Sequence, residues 1–310
     1  MARKKRGDAI HGWVILDKPK GMNSTPVTNR VRWLFNAQKA GHGGTLDPMA
    51  TGVLPVALGE ASKTVPCVMD STKEYRFTVT WGYLTDSDDS EGKIIATSKI
   101  RPGAEQILAV LEQFRGQILQ VPPLVSALKI NGARAYDLVR SGEIPEMKAR
   151  KTNIYELELL NAHKEQADLR VCCGKGTYVR ALARDIAAAC GTLGHVSALH
   201  RQFVGPFSTK DTISLDALEK IEDREGRFEH LLSLESALDD IPALDISLNE
   251  AKTIYSGQSL SFISRSQAER LDHLSWDEPL WLRLDDKAVA LAVVTQGCVR
   301  STRVFNHWIN

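Results

Sequence analysis

Residues 41–59 read GHGGTLDPMATGVLPVALG. Gly41, Gly43 and Gly44 crowd around His42, so the backbone there is free to take positive φ and to approach another chain or a ligand closely. Asp47 is the one carboxylate of the stretch and precedes Pro48, which biases it toward an extended conformation. Val53, Leu54, Val56, Ala57 and Leu58 follow as an apolar run. A carboxylate in a tight loop ahead of such a run is a group presented from a rigid element. The same residue types also make an ordinary Asp-Pro turn, and spacing alone favours the turn.

Short motifs do not decide between the two. A dinucleotide fingerprint requires GxGxxG, and the third glycine is replaced by Leu46. Gly174-Lys175-Gly176-Thr177 lacks the hydroxyl directly after lysine that a phosphate loop needs. His42 and Asp47 are not at a helical metal-ligand spacing.

Extended to Lys63, the string GHGGTLDPMATGVLPVALGEASK resembles the signature block of the bacterial tRNA pseudouridine-55 synthases, the TruB family. The match is long and nearly ungapped. It implies that Asp47 is the catalytic aspartate of an enzyme that isomerises a tRNA uridine to pseudouridine.

Composition agrees with that setting. The chain has 310 residues, 43% hydrophobic and 25% charged, which suits one large soluble domain plus a small one. Five cysteines, an odd number without a CxxC pair, fit a reducing cytosol. The basic start, MARKKRGDAIHGWVILDKPKG, has an apolar run only from Trp13 to Leu16, too short for a secretion signal, and no later stretch is long enough for a membrane span. Net charge is +1, but it is unevenly spread: +5 over residues 1–60, +4 over 61–210 and −8 over 211–310. The positive charge sits where a phosphate backbone would be met.

Along the chain, His11 to Leu16 reads as a strand and Asp17 to Gly21 as a turn. The family has a similar DKPxG stretch beside its active-site loop. Ser24 and Thr25 offer a cap, Pro26 suits the first helical turn, and Val27, Val31, Leu34 and Phe35 share one helical face. Arg30 and Arg32 fall off that face, either solvated or touching RNA. Glu74 to Trp81 alternates as a strand, with Tyr75, Phe77, Val79 and Trp81 on one side. Thr85 to Gly92 is an acidic turn that fails the calcium-loop pattern. Ala104 to Arg115 is an amphipathic helix with Ile107, Leu108, Leu111 and Phe114 inward, closed by Gly116. Pro122 to Gly132, PPLVSALKING, ends in an Asn-Gly turn and resembles another family block, with Lys129 at the matching place. Leu169, Val171 and Cys173 alternate in a strand, followed by a helix that turns Val179, Leu182, Ile186 and Cys190 inward and stops at Gly191. Two short helices fit Ser214 to Asp240. Beyond Pro242, Ser247 and Glu250 make a capping box for a helix ended by Gly257, and short strands follow at Leu260–Ile263, Leu280–Leu284, Val289–Val294 and Val299–Phe305.

Without regular βαβ alternation, the expected fold class is α+β: a mixed, largely antiparallel sheet. Residues 1–243 are the expected pseudouridine synthase catalytic domain. Residues 244–310 resemble a small, mostly-β PUA-like RNA-binding domain.

The implied reaction breaks C1′–N1, rotates the base and rejoins it through C5. It needs a carboxylate as nucleophile or base, and no cofactor or metal. Sequence leaves open which role Asp47 takes. The resemblance places Arg180, from GKGTYVR, beside Asp47; Tyr75 as the aromatic stacking on the flipped base; His42 as the histidine entering the T-loop; and Tyr178 and Leu199 as uridine-pocket residues. By pattern alone Arg180 is an exposed helix arginine and Tyr75 a core tyrosine. The family usually has Arg-Arg after the leucine; here Leu199-His200-Arg201 puts one phosphate contact in doubt. The expected partner is the tRNA T-arm, with no protein partner and no membrane, for a cytoplasmic monomer. Rival readings are a ribosomal-RNA pseudouridine synthase, a guide-RNA-dependent relative, which tends to carry a longer basic tail, and a tRNA-folding factor on the same fold.

Overall fold

The computed structural model describes residues 7–307 apart from 127, 131, 263, 264, 273 and 296. The basic residues 3–6, Asn131 of the expected turn, Ile263 of the expected strand and the side chain of Lys129 lie outside the described set.

The elements of the larger part run β1 (Gly12–Lys18), α1 (Ser24–Leu34), β2 (Ala40–His42), β3 (Thr51–Leu58), α2 (Val65–Asp70), β4 (Lys73–Trp81), β5 (Tyr83–Thr85), β6 (Ile94–Thr97), α3 (Ala104–Leu111), β7 (Gly116–Gln120), β8 (Lys129–Ile130), β9 (Ala133–Arg134), α4 (Ala135–Arg140), β10 (Arg150–Ala162), β11 (Gln166–Cys173), α5 (Val179–Ala189), β12 (Gly194–Val204), β13 (Phe207–Ser208), β14 (Ile213–Ser214), α6 (Leu215–Lys220) and α7 (Arg224–Phe228). One sheet has the order β14-β1-β3-β12-β4-β11-β10-β7, with β13 beside β12 and β2 beside β3. Among the described strand pairs of this sheet, β1–β14 and β3–β12 are parallel and the rest antiparallel, so the sheet is mixed and largely antiparallel.

The expected periodicities hold where one face is covered. In β4, Phe77, Val79 and Trp81 are buried and Arg76 is exposed. They join one core with Val27 and Val31 of α1 and Leu182, Ala183 and Ile186 of α5. Two local expectations fail. The cap of α1 is Asn23, without a side-chain bond, because the Ser24 hydroxyl is used elsewhere. In α3, Leu108 is 53% exposed while Val110 is buried; the helix presents its 107–110–111 stripe to the core.

A second, five-stranded sheet of order β15-β17-β18-β19-β16 follows, built from β15 (Ala243–Asp245), β16 (Leu260–Ser261), β17 (Pro279–Leu284), β18 (Lys287–Thr295) and β19 (Cys298–Val304). The capping box of Ser247 and Glu250 opens the helix Leu248–Tyr255. Trp281, Ala288, Leu291 and Phe305 of this part share a buried cluster with Trp13, Ile15, Val204 and Phe207, so it packs on the back of β1. All five cysteines are free. Among the described residues, no helix is long and apolar enough to cross a membrane.

Candidate active site

Asp47 lies in the loop joining β2 to β3, and that loop is held from three sides. Gly43 N–H donates to the Pro55 carbonyl at 2.8 Å. The Ser24 hydroxyl both donates to the Leu46 carbonyl and accepts from the Leu46 N–H, each at 2.9 Å. Arg201, wholly buried on β12, donates to the carbonyls of Val53 at 2.7 Å and Gly44 at 3.1 Å. Gly52 makes this approach possible: its φ is +98, and a Cβ there would lie 2.3 Å from the Arg201 carbonyl oxygen.

Arg180 stands in the first turn of α5 and meets Asp47 as a fork, Nη2 to Oδ1 at 3.0 Å and Nε to Oδ2 at 2.9 Å. It is not the exposed helix arginine of the pattern. Its side chain is 5% exposed, against 33% for Asp47. Nη1 donates to the Ser87 carbonyl at 2.8 Å and lies 3.3 Å from Asp89 Oδ2, and Nη2 donates to the Val125 carbonyl at 3.0 Å. The guanidinium is therefore saturated by fixed partners and gives Asp47 one orientation, while the carboxylate keeps an open side.

The acidic turn thus belongs to the site. Asp89 accepts from the Ser87 hydroxyl at 2.6 Å and the Glu91 N–H at 3.0 Å. Asp88 pairs with Arg184, one helical turn beyond Arg180, at 2.7 Å. Burial raises the Asp88 pKa and the Arg184 charge opposes that rise. Sequence reading missed this constellation. The available signal was two arginines at i and i+4 on a helix whose other residues, Asp185 apart, are apolar, together with adjacent aspartates in the turn.

Lys18 was also missed. Expected in a turn, it instead ends β1 and is wholly buried. Its Nζ donates to the carbonyls of Pro19 at 2.8 Å, Met22 at 2.6 Å and Pro48 at 3.2 Å. Burial lowers its pKa to about 8, opposed by the charges of Asp47 and Glu91.

The remaining expected residues surround this centre unevenly. Tyr75 is half-buried and faces Arg201 across the β4–β12 register. Burial raises its hydroxyl pKa, Arg201 acts the other way, and the Asp47 charge reaches it. Tyr178 caps α5: its N–H donates to Gln120 Oε1 at 3.1 Å, and burial raises its hydroxyl pKa. His42 ends β2; burial and the Arg201 charge lower its pKa, and its buried Nδ1 has no partner among the described residues. Leu199 lines a cleft of about 370 Å³ together with Met49 and Thr51, just past Asp47, and with Lys20, Arg76 and His200; Tyr75, Tyr178 and His42 do not line it. Of the His200-Arg201 pair that stands where the family usually has Arg-Arg, Arg201 is spent on the loop. His200 is bonded through Nδ1 to the Thr51 hydroxyl at 2.8 Å.

The fold is shared with solved structures that define its class. A Cbf5–Nop10–Gar1 complex superposes with a TM-score of 0.73 at 25% identity over 95% of this chain and 85% of that one. An archaeal box H/ACA Nop10–Cbf5 complex gives 0.72 at 22% over 99% and 93%. The architecture is that of the pseudouridine synthases. Residues 32–179 match the TruB family pseudouridylate synthase N-terminal domain, and residues 180–239 the tRNA pseudouridylate synthase B C-terminal domain. The chain is 47% identical over 307 residues to tRNA pseudouridine synthase B of Rhodospirillum rubrum, covering 99% of this chain and 100% of that protein. It is 48% identical over 312 residues to the same-named protein of Bradyrhizobium diazoefficiens, covering 99% and 88%. The chain belongs to the TruB family of pseudouridylate synthases, enzymes that isomerise uridine to pseudouridine.

Proposed function

We propose that this chain forms pseudouridine in the T-loop of tRNAs, at position 55, with Asp47 as the group that attacks or deprotonates the target nucleotide. The observation that carries the reading is the forked Arg180–Asp47 pair, a rigid carboxylate with an open side at the centre of the loop block. Tyr75 stacks on the flipped base, Leu199 and Tyr178 meet the uridine separately, from the cleft on β12 and from the start of α5, and His42 enters the T-loop. The neutral His42 ring favours insertion among bases over phosphate pairing. Residues 1–243 carry the chemistry and 244–310 add tRNA affinity as a PUA-like unit. The enzyme works in the cytoplasm as a monomer without a protein partner, unlike the Cbf5 complexes.

The test is a carbodiimide primer-extension map of an unmodified tRNA transcript treated with the purified protein, wild type beside Asp47→Asn. A stop at the T-loop uridine with wild type alone is expected, with tRNA binding kept in Asp47→Asn. A stop elsewhere, or on ribosomal RNA instead, would overturn the assignment. Deletion of 244–310 is expected to weaken tRNA affinity and leave some turnover in protein that stays folded.

A further inference from the structure

The surface at the C-terminal end of α1 presents an aromatic and a basic group that the reaction does not use. Asn29, Arg32 and Trp33 recur at i, i+3 and i+4 on one face of α1, and Asn36, in the turn just past its end with φ +50, adjoins them. With Gly7 and Ala37 they line a depression of about 440 Å³. Trp33 is 66% exposed, an unusual place for an indole.

The ring is also held in position. The Arg30 guanidinium lies over it, 4.3 Å from the centroid, and Glu219 of α6 grips Arg30 at 2.5 Å. Such a stack fixes one side of the indole. Arg32 is exposed and has no side-chain partner among the described residues. The neighbouring carboxylates are already used: Glu219 by Arg30, and Asp8 by Arg224 at 3.1 Å. An anion arriving here meets uncompensated positive charge.

We propose that this depression is a second RNA site, a stacking platform for an unpaired nucleotide of the tRNA other than the reacting uridine. The inference rests on the reading of tRNA as substrate. The chemistry matches one nucleotide: Trp33 offers a π face, Arg32 a phosphate partner, and the Asn29 and Asn36 carboxamides donors and acceptors for a base edge. An apolar protein partner would find one aromatic ring among polar groups. The helix also links the two places. It begins at Ser24, whose hydroxyl holds Leu46 beside Asp47, and Trp33 lies nine residues on, about 14 Å along the axis.

The test uses the full chain and an unmodified tRNA transcript, with Kd measured at several salt concentrations and the single-turnover rate at saturating protein. Trp33→Ala is expected to raise Kd about tenfold and Trp33→Phe no more than about threefold, since stacking survives in phenylalanine. Arg32→Ala is expected to lower the salt slope by about one. The saturating rate stays at the wild-type value in all three. Kd within about twofold of wild type for Trp33→Ala, equal losses for both Trp33 variants, or a fallen saturating rate would each overturn the site. Wild type that forms pseudouridine in the transcript while Trp33→Ala binds normally sinks this site alone. Wild type that neither binds nor modifies tRNA sinks the functional reading with it.

Discussion

Arg180 holds both oxygens of Asp47, at 3.0 and 2.9 Å, with a guanidinium whose other contacts are the Ser87 and Val125 carbonyls and Asp89. A lysine keeps the charge there but has one nitrogen and no fork. Arg180→Lys is expected to lower the single-turnover rate about a hundredfold or more, with tRNA Kd within a few-fold. Arg180→Ala also leaves Asp89 buried and uncompensated, at a cost of about 3–5 kcal/mol of stability. A lysine variant that turns over at the wild-type rate would mean that the fork is incidental.

The Asp47 loop depends on Gly52 as much as on any polar contact. Alanine there combines φ +98 with a Cβ 2.3 Å from a backbone oxygen of Arg201, and neither β3 nor β12 has room to retreat within the sheet. Gly52→Ala is expected to cost roughly 1–3 kcal/mol in urea unfolding and most of the activity. Gly103→Ala is the control. Its φ is −79 and nothing lies within 4 Å of its Cβ position, so the only loss is the preference for glycine over alanine at the N-cap of α3, about 1 kcal/mol or less, with activity kept.

What the sequence disclosed and what it hid follow one physical division. The strand at Tyr75–Trp81, the inward face of α5 and the Ser247–Glu250 box are local patterns, written within one element, and the structure contains them. Leu108 shows the limit even there: the helix period admits it, but the neighbouring stripe won the core. The hidden features are polar groups whose burial is set by distant chain. Lys18 looks like a turn residue until Met22 and Pro48 offer it carbonyls. Arg201 reads as one polar residue of a strand until the carbonyls of Gly44 and Val53 take its guanidinium. Resemblance supplied Asp47 and Arg180 as partners; nothing in their spacing did.

Tyr75 separates stacking from hydroxyl chemistry. Burial raises its hydroxyl pKa above the usual value, so the phenol is neutral at pH 7. Tyr75→Phe keeps the ring and is expected to lose no more than about tenfold in single-turnover rate. Tyr75→Ala loses the platform, worth roughly 1–3 kcal/mol of base stacking, and is expected to fall much further. Equal losses would move the role from the ring to the hydroxyl.

Lys18 makes stability rise with pH, the same direction as a paired carboxylate, but in an alkaline range where carboxylates no longer titrate. In the unfolded chain its amine holds the proton up to about 10.5, and in the fold it yields it near pH 8, chiefly because burial disfavours the charge. Between those values the unfolded state binds more protons, so unfolding free energy rises with pH. Lys18→Met removes that titration along with three hydrogen bonds to carbonyls. Urea midpoints at pH 7, 9 and 10.5 are therefore expected to rise for wild type relative to Lys18→Met. A difference that stays flat across this range would show that the buried amine keeps its proton. The positive charge that faces Asp47 would then persist at every pH where the enzyme is folded.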